Sequence, residues 1–315
     1  MRRILITGAA TWIGDRLVEA FASRAGFVVF ATDEVPPRRR HRGVEFRTME
    51  LDRLEFARYL LDARVDTVVH LQTVDRSVEL GARRAHEEAV IGAQTLFGAI
   101  ARSETIRQVV VRSDAAIYGA GPRNPSVMAE EDVAVGRLPR YARDLRDMER
   151  LVVATQATHP EVVFTVLRLA PLLGPARHTP LARFLTLPSV PTILGFDPRL
   201  QFLHEEDAVA AFVHVVDVPV PGVFNVGAPG QLYLSRVLRL GRRPATPLPQ
   251  PLFDRTLRGL KRGGLGLPGY VVSLLRYGRV MELGRMARVL GFEPARTCRQ
   301  TVLDTYGRLP AGWVP

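Results

Sequence analysis

Short apolar runs alternate with amphipathic segments along the first two thirds of the chain. Apolar runs of strand length occur at residues 4–7, 28–31, 65–71, 108–111 and 164–169. Segments with the apolar spacing of a helix lie between them, in the run that follows Asp15 and at residues 54–62, 87–102 and 141–155. Continuous apolar runs are typical of parallel strands that are buried on both faces. The pattern therefore predicts an α/β fold, a doubly wound parallel sheet of the Rossmann kind with helices on both faces.

The last third of the chain has a different pattern. Residues 171–198 are dense in proline and glycine, which predicts loops and short elements that reach over a cleft. A helix through Val216 and a strand at residues 222–227 follow, and the chain from Ser235 on is mainly helical with glycine breaks. We expect a dinucleotide-binding domain of residues 1–165 and 196–226, and a smaller substrate domain or lid of residues 166–195 and 227–315.

The turn after the first strand has the residue types of a dinucleotide-binding βαβ unit. Gly8 permits a sharp exit from the strand, and Gly14 lets the helix pack close to the sheet. The helix N-terminus offers N–H groups and a positive dipole end to a pyrophosphate. Asp33, at the end of the second strand, would accept hydrogen bonds from ribose hydroxyls and repel a 2′-phosphate, which favours NAD over NADP. Thr11 replaces the middle glycine of the pattern, and its Cβ would weaken the approach to the phosphates.

Other positions at the ends of predicted strands belong to the same candidate site. Asp52 ends the third strand, where it could contact an adenine amino group, and Leu71 and Gln72 end the fourth. The predicted cofactor-binding residues of this region are Gly8, Ala10, Thr11, Trp12, Ile13, Gly14, Asp33, Asp52, Leu71 and Gln72.

Composition narrows the class of protein. The chain has 315 residues, 47% of them hydrophobic, which is enough for a large core. Its single cysteine, Cys298, excludes a disulfide framework and a cysteine-based metal cluster and fits a reducing cytoplasm. No apolar stretch approaches membrane-spanning length, so we expect a cytoplasmic protein without a metal.

The net charge of +11 comes almost wholly from arginine, since Lys261 is the one lysine. Residues 250–300 contain ten basic and three acidic residues. Such a surface could meet a nucleotide diphosphate or an anionic lipid surface, or simply be solvated. The stretch at residues 252–275 mixes basic residues with leucines, and we favour a lid over membrane contact. No nucleic-acid-binding motif is present.

Several motifs, in order along nearly the whole chain, resemble one family. They are Thr7-Gly8 to Gly14, Asp33, Asp52, His70-Leu71, Ile117-Tyr118-Gly119, Tyr141, Arg168, Gly174-Pro175, His204 to Asp207, Phe224-Asn225-Val226-Gly227 and Leu290-Gly291-Phe292-Glu293-Pro294. The chain resembles the extended short-chain dehydrogenase/reductases, a group of NAD-dependent nucleotide-sugar epimerases and dehydratases. The resemblance implies oxidoreductase or isomerase chemistry, a nucleotide-sugar substrate and a homodimer.

The family's chemistry uses a tyrosine that transfers a proton and a serine or threonine at the end of the fifth strand. It also uses a lysine four residues after the tyrosine, which holds the nicotinamide ribose and lowers the pKa of the tyrosine. By this resemblance Tyr141 is the proton-transfer residue and also contacts the cofactor. The lysine position holds Leu145, and the serine position holds Asp114, next to Ser113. The predicted catalytic residues are therefore Tyr141, Asp114 and Ser113.

The missing lysine changes the expected chemistry. A phenol titrates near ~10, so Tyr141 without a neighbouring cation is a poor base at neutral pH. Arg143 and Arg146 lie on other faces of the helix, and Lys261 is distant in sequence. Ionised Asp114 would raise the pKa of Tyr141 further, whereas protonated Asp114 could donate a hydrogen bond as serine does. Two interpretations follow: an enzyme with a non-standard active site, or an inactive dinucleotide-binding sensor or scaffold.

Three arginines near the expected cleft are candidates for substrate binding. A diphosphate favours the bidentate guanidinium of arginine, and Arg168, Arg177 and Arg199 lie in or next to the loops that would cover the cleft. His70 at a strand end is interpreted as a hydrogen-bonded core residue. The cluster from His204 to Asp207 is interpreted as the capped, acidic first turn of a helix and not as a metal site.

Overall fold

The computed structural model describes residues 1–51, 53–72, 82–132, 134, 136 and 138–308. The strands in these residues are β1 (Arg2–Thr7), β2 (Phe27–Asp33), β3 (Val44–Thr48), β4 (Thr67–His70), β5 (Gln108–Asp114), β6 (Val163–Leu169), β7 (Leu172–Leu173), β8 (Val190–Ile193), β9 (Arg199–Leu200), β10 (Leu203–His204), β11 (Gly222–Val226), β12 (Leu232–Tyr233) and β13 (Ala245–Leu248). The helices are α1 (Trp12–Ala22), α2 (Leu54–Asp62), α3 (Ala82–Ile100), α4 (Arg140–Thr158), α5 (Pro180–Leu185), α6 (Glu205–Asp217), α7 (Leu234–Leu240), α8 (Gln250–Arg262), α9 (Gly269–Tyr277) and α10 (Cys298–Thr305).

A seven-stranded sheet has the order β11-β6-β5-β4-β1-β2-β3. The pairs that β1 makes with β2 and β4 are parallel, as are the pairs β2–β3 and β4–β5. The inner strands are largely buried, as Ile4, Leu5 and Ile6 of β1 illustrate, because helices cover both faces of such a sheet. The predicted doubly wound Rossmann sheet is confirmed.

The edge strand β3 differs from the inner strands. Its side chains are partly or fully exposed, and Glu45 and Arg47 form an ion pair at 2.9 Å along it. Charged side chains of this kind discourage a sheet edge from pairing with another chain. The sheet is therefore apolar in its middle and polar at this end.

The chain divides into two units. The first comprises Met1–Ser113, Arg143–Arg168 and Val209–Phe224, and it contains most of the large sheet. The second comprises Asp114–Ala142, Leu169–Ala208 and Asn225–Pro315. Its core is built around Phe184, Phe202 and Phe253, which are buried among leucines and valines of helices α5, α7, α9 and α10. The boundaries expected from the sequence for a cofactor and a substrate domain stay a prediction.

Some elements differ from the expectation. Helix α3 begins at Ala82 rather than at residue 87, and β5 extends to Asp114 rather than ending at residue 111. The region rich in proline and glycine contains short strands, which pair as β7 with β10, β8 with β13 and β9 with β12. Strands of two to four residues are too short for a period-two pattern, so the sequence gives little sign of them.

A substitution at Gly14 tests the close packing of α1 on the sheet. A Cβ at this position would lie 2.3 Å from the carbonyl oxygen of Gly8, so the backbone must move to accept it. We expect Gly14→Ala to lower the free energy of unfolding by ~1–3 kcal/mol, measured by urea denaturation without cofactor. Gly98→Ala is the matched control, because Gly98 is exposed on α3 and a Cβ there meets nothing within 4 Å. Equal stability of the two variants would contradict the packing argument.

Candidate functional site

Two glycines set the geometry of the turn between β1 and α1. Gly8 has a φ of 70°, a conformation that side chains rarely adopt. At Gly14 the helix backbone approaches so closely that a Cβ would also lie 2.7 Å from the Cα of Ala9. The helix N-terminus is thereby fixed directly beside the end of β1, as a dinucleotide site requires.

Thr11 caps helix α1. Its Oγ1 accepts a hydrogen bond from the N–H of Gly14 at 3.1 Å and donates one to the carbonyl oxygen of Gly8 at 2.7 Å. The hydroxyl therefore takes one of the first-turn N–H groups that a phosphate could otherwise use. Helix geometry gives the N–H of Ile13 no intrahelical acceptor, so this donor is left for a ligand. The cap by Thr11 does not change the positive dipole at the helix N-terminus. The turn still fits a diphosphate, with one donor fewer than a glycine in place of Thr11 would leave.

Asp33 ties this turn to the end of β2. Its carboxylate is buried, accepting hydrogen bonds from the N–H of Ala10 at 2.9 Å and from that of Val35 at 3.3 Å. A carboxylate has about four lone-pair positions, so Asp33 retains capacity for hydroxyl donors. The position and charge of Asp33 fit a ribose with two free hydroxyls.

The ends of β1 and β4 meet where the order of the sheet reverses. The N–H of Leu71 donates to the carbonyl oxygen of Thr7 at 3.2 Å, and a Cβ on Gly8 would lie 3.0 Å from the nitrogen of Gln72. The Gln72 side chain donates to Glu34 at 2.5 Å. The structure thus brings Gly8, Leu71 and Gln72 together, at the point where ligands bind in open α/β sheets. Asp52 lies outside the described residues.

His70 lies below this edge, inside the sheet. It is completely buried, and its Nδ1 is 2.7 Å from the Oγ1 of Thr7. Burial lowers its pKa to about 4, so the imidazole is neutral at neutral pH. These contacts fit a hydrogen-bonded core residue.

Ser113 belongs to a buried ion-pair network in the first unit. Its hydroxyl donates to Glu149 at 2.6 Å, and Arg168 donates to the same carboxylate through Nε at 3.0 Å and Nη2 at 2.6 Å. All three residues are buried. The contact of Arg168 with substrate and the catalytic role of Ser113 stay predictions, and both side chains have a structural partner in Glu149.

Asp114 and Tyr141 lie in the second unit. The Asp114 carboxylate accepts a hydrogen bond from the N–H of Ala116 at 2.7 Å and lies 4.0 Å from Nη2 of Arg279. Both contacts favour the charged carboxylate. Tyr141 is half-buried, and its ring packs against that of Tyr270 with centroids 4.8 Å apart.

The other two predicted substrate arginines also contact backbone carbonyls of the second unit. Arg177 donates to the carbonyl oxygen of Thr305 at 3.2 and 3.3 Å, and Arg199 to that of Ser126 at 3.1 Å. A guanidinium carries five N–H donors, so these bonds leave donors over in each case. Their contact with substrate stays a prediction.

Comparison with known proteins identifies relatives at three levels. The model of the NAD dependent epimerase/dehydratase family matches residues 4–227. The chain belongs to this family. An uncharacterized protein of Mycobacterium tuberculosis is 36% identical over 314 residues, a match that covers 96% of this chain and 83% of the relative.

Two solved structures illustrate the similarity of fold. UDP-glucose 4-epimerase of Thermotoga maritima, solved with UDP-glucose, has a TM-score of 0.74 and 18% identity, covering 96% of this chain and 98% of that one. dTDP-glucose 4,6-dehydratase of Bacillus anthracis, solved with NAD, has a TM-score of 0.74 and 17% identity, covering 97% and 96%. At these identities the likeness shows the fold. The resemblance inferred from the motifs is confirmed, and NAD is the cofactor of the family.

The charged cluster at the start of α6 forms hydrogen bonds within the second unit. His204 Nε2 lies 2.9 Å from Asp304, and Glu205 contacts His178 at 3.1 Å and accepts from the N–H of Ala176. Burial would raise the pKa of Glu205, but the His178 and Ala176 contacts hold it below its usual value. Within the described part of the chain, no group of three or more His, Cys, Asp or Glu side chains could hold a metal ion.

None of the helices in the described residues is both long enough and apolar enough to cross a bilayer.

The sequence analysis missed Arg279. It is one of ten basic residues between 250 and 300, and nothing in the sequence separates it from the others. Its position between Gly278 and the apolar pair Val280-Met281 is the one local sign of burial. Glu149 lies eight residues after Tyr141 on α4, and nothing in the local sequence indicates its contact with Ser113.

Removing the charge of Glu149 tests the buried network. Glu149→Gln leaves the Arg168 guanidinium buried opposite a neutral amide, and we expect a loss of ~3–5 kcal/mol in the free energy of unfolding. Asp147→Asn on the same helix is the control, because the Asp147–Arg150 pair is exposed and such pairs contribute about 0–1 kcal/mol. Urea denaturation measures both. Equal losses would mean that the Arg168–Glu149 pair is no more important than a surface pair.

Proposed function

We propose that this protein is an NAD-dependent oxidoreductase or epimerase, acting on a nucleotide sugar or a related hydroxyl or carbonyl substrate with Tyr141 as the proton-transfer residue. The observation that carries the proposal is the candidate cofactor site formed by Gly8, Gly14 and Asp33. It lies where the strand order of the sheet reverses, in a chain of this family. The fold-level relatives solved with NAD or with UDP-glucose support the choice of ligands.

The residues of the first turn suit the adenine half of the cofactor. The close approach at Gly8 and Gly14 leaves backbone rather than side chain beside the diphosphate, and the dipole of α1 attracts its charge. Asp33 would accept the ribose hydroxyls and exclude NADP by repulsion. NAD held by these residues would supply hydride transfer from and to the substrate carbon.

Tyr141 and Asp114 would handle the substrate hydroxyl. The phenolate of Tyr141 would take the proton as the hydroxyl becomes a carbonyl, and the resulting phenol would return it in the reverse step. Since its two contacts favour the charged form, Asp114 would accept a hydrogen bond from substrate, whereas a serine could also donate one. The side chain at 114 therefore favours a hydroxyl over a carbonyl in the bound ground state.

A second candidate is an inactive dinucleotide-binding sensor or scaffold. Leu145, one helical turn after Tyr141, is 2% exposed and apolar, so α4 supplies no cation at that place. The Ser113 hydroxyl is committed to Glu149, and Thr11 takes one phosphate-facing donor. Each feature removes a group that the family uses for catalysis or cofactor binding, and none of them disturbs the fold. The homodimer stays a prediction under either candidate.

Cofactor binding is tested by titration calorimetry with NAD⁺ and NADH. We expect Asp33→Ala to weaken binding at least ~10-fold, because charge-assisted hydrogen bonds are worth ~1.5–3 kcal/mol each. Asp62→Ala, an exposed acid at the end of α2, is the control and keeps the affinity of the parent protein. Absence of heat in the parent protein with both nucleotides would refute the proposed cofactor site.

The role of Tyr141 is tested by turnover on a panel of nucleotide sugars, with chromatography of products and absorbance of NADH. We expect Tyr141→Phe to lose turnover and to keep NAD affinity, because the ring stays while the proton-transfer group is removed. Tyr233→Phe, at an exposed position, keeps full activity. Full activity of Tyr141→Phe would refute the role, and a parent protein inactive on every substrate would favour the sensor or scaffold.

A further inference from the structure

Arg279 is a buried cation with unused hydrogen-bond donors. Its side chain is 2% exposed, and among the ten basic residues of 250–300 it alone is buried. Nη1 donates to the carbonyl oxygen of Gly119 at 3.1 Å. Nε and Nη2 are buried and have no hydrogen-bond acceptor within the described part of the chain.

The backbone fixes the position of this guanidinium. The N–H of Arg279 donates to the carbonyl oxygen of Arg199 at 3.0 Å, and that of Gly278 to Leu274 at 2.8 Å. Gly278 has a φ of 73°, and a Cβ there would lie 2.3 Å from the same Arg199 oxygen. The chain therefore enters Arg279 along a path that only glycine allows, and the bond to Gly119 holds the other end of the side chain.

Among the described residues, one carboxylate and three phenols act electrostatically on Arg279. Asp114 is 4.0 Å away, and burial lowers the pKa of Arg279 while Asp114, Tyr270, Tyr118 and Tyr141 counter that effect. Arginine remains protonated in proteins even so. The Tyr118 hydroxyl donates to Asn225 at 2.7 Å, which gives this phenol a structural partner. Tyr141 packs on Tyr270, so both rings share the field of one buried cation.

We propose that Arg279 is a positioning residue for Tyr141: its buried guanidinium supplies the positive charge that α4 lacks at Leu145. A cation beside a phenol favours the phenolate, and a buried site screens the interaction less than water does. The incomplete pairing with Asp114, at 4.0 Å without a hydrogen bond, leaves part of this field directed at the phenols. In a fully hydrogen-bonded pair such as Arg168–Glu149, the two opposite charges offset each other, so little of the field reaches other side chains.

Other basic residues of this segment are less suitable. Arg276 stacks over Phe196 and Tyr277 at 5.1 Å, Arg285 pairs with exposed Glu131 at 3.0 Å, and Lys261 is exposed on α8. A purely structural role for Arg279, as a clamp on Gly119, is the competing explanation. It predicts loss of stability on substitution and no change in the titration of Tyr141.

The catalytic meaning of this inference rests on the proposed role of Tyr141, but the charge effect can be measured without substrate or cofactor. Tyrosine labelled with carbon-13 at Cζ gives a signal for each of the seven tyrosines, and the signal absent from Tyr141→Phe identifies Tyr141. Its chemical shift followed over pH gives the pKa of Tyr141. We expect this pKa to lie below ~10 in the parent protein and to rise by at least ~1 unit in Arg279→Gln.

Two further variants separate charge from structure. Arg279→Lys keeps the charge and loses the clamp geometry, so it should retain most of the depression of the Tyr141 pKa. Arg285→Gln is the matched control and should leave this pKa unchanged. A pKa at or above ~10 in the parent protein overturns the proposal even if Arg279→Gln fails to fold. An unchanged pKa in a folded Arg279→Gln, or equal behaviour of the Lys and Gln variants, also overturns it. Absence of turnover with a lowered pKa would refute the proposed function and leave the charge effect in place.

Discussion

The approach of helix α1 to the end of β1 is the constraint on which the candidate cofactor site depends. Two backbones come together at Gly14 and Gly8 at distances that no Cβ could tolerate. The same glycine, Gly8, touches the start of the segment after β4, and Ala10 in the same turn is bonded to Asp33. Three strand ends are thereby fixed to one another, by close main-chain approach at Gly8 and by the hydrogen bond from the Ala10 N–H to the Asp33 carboxylate. Such a site is rigid before any ligand arrives, which reduces the entropy that binding must overcome.

Buried charge is the second organising feature. Two neighbouring side chains at the end of β5 each contact a different buried charged group. Successive side chains of a strand alternate in direction, and here Ser113 contacts the Glu149–Arg168 pair while Asp114 contacts Ala116 and faces Arg279. Burying an ion is costly unless hydrogen bonds compensate. Arg168 has that compensation in a bidentate contact, whereas Arg279 has one carbonyl and a distant carboxylate. The Arg168–Glu149 pair therefore stabilises the core, whereas the charge of Arg279 is less compensated and acts on the neighbouring side chains.

The sequence indicated the sheet and the first turn because both depend on local pattern. Apolar runs mark the buried strands, and the spacing of Gly8, Gly14 and Asp33 follows from the geometry of one βαβ unit. Helix α3 begins earlier than expected because residues 82–86, Ala-Arg-Arg-Ala-His, favour a helix by propensity without an apolar period. The hydrogen bond between Ala10 and Asp33 joins residues 23 positions apart, and the 4.0 Å approach of Asp114 to Arg279 brings together residues 165 positions apart. Local pattern carries no information on the second pair, since any of ten basic residues could have filled that place.

Moving the cation away from α4 would separate two tasks that the family's lysine combines. By the resemblance, that lysine both lowers the pKa of the tyrosine and holds the nicotinamide ribose. Arg279 is clamped to Gly119 and fixed by its backbone, so it can act on a phenol by its charge but cannot swing to a ribose as a flexible lysine can. The nicotinamide half of the cofactor would then be held less firmly than the adenine half, which has Asp33. In such a site proton transfer and cofactor retention are independent properties, and a chain can keep either without the other.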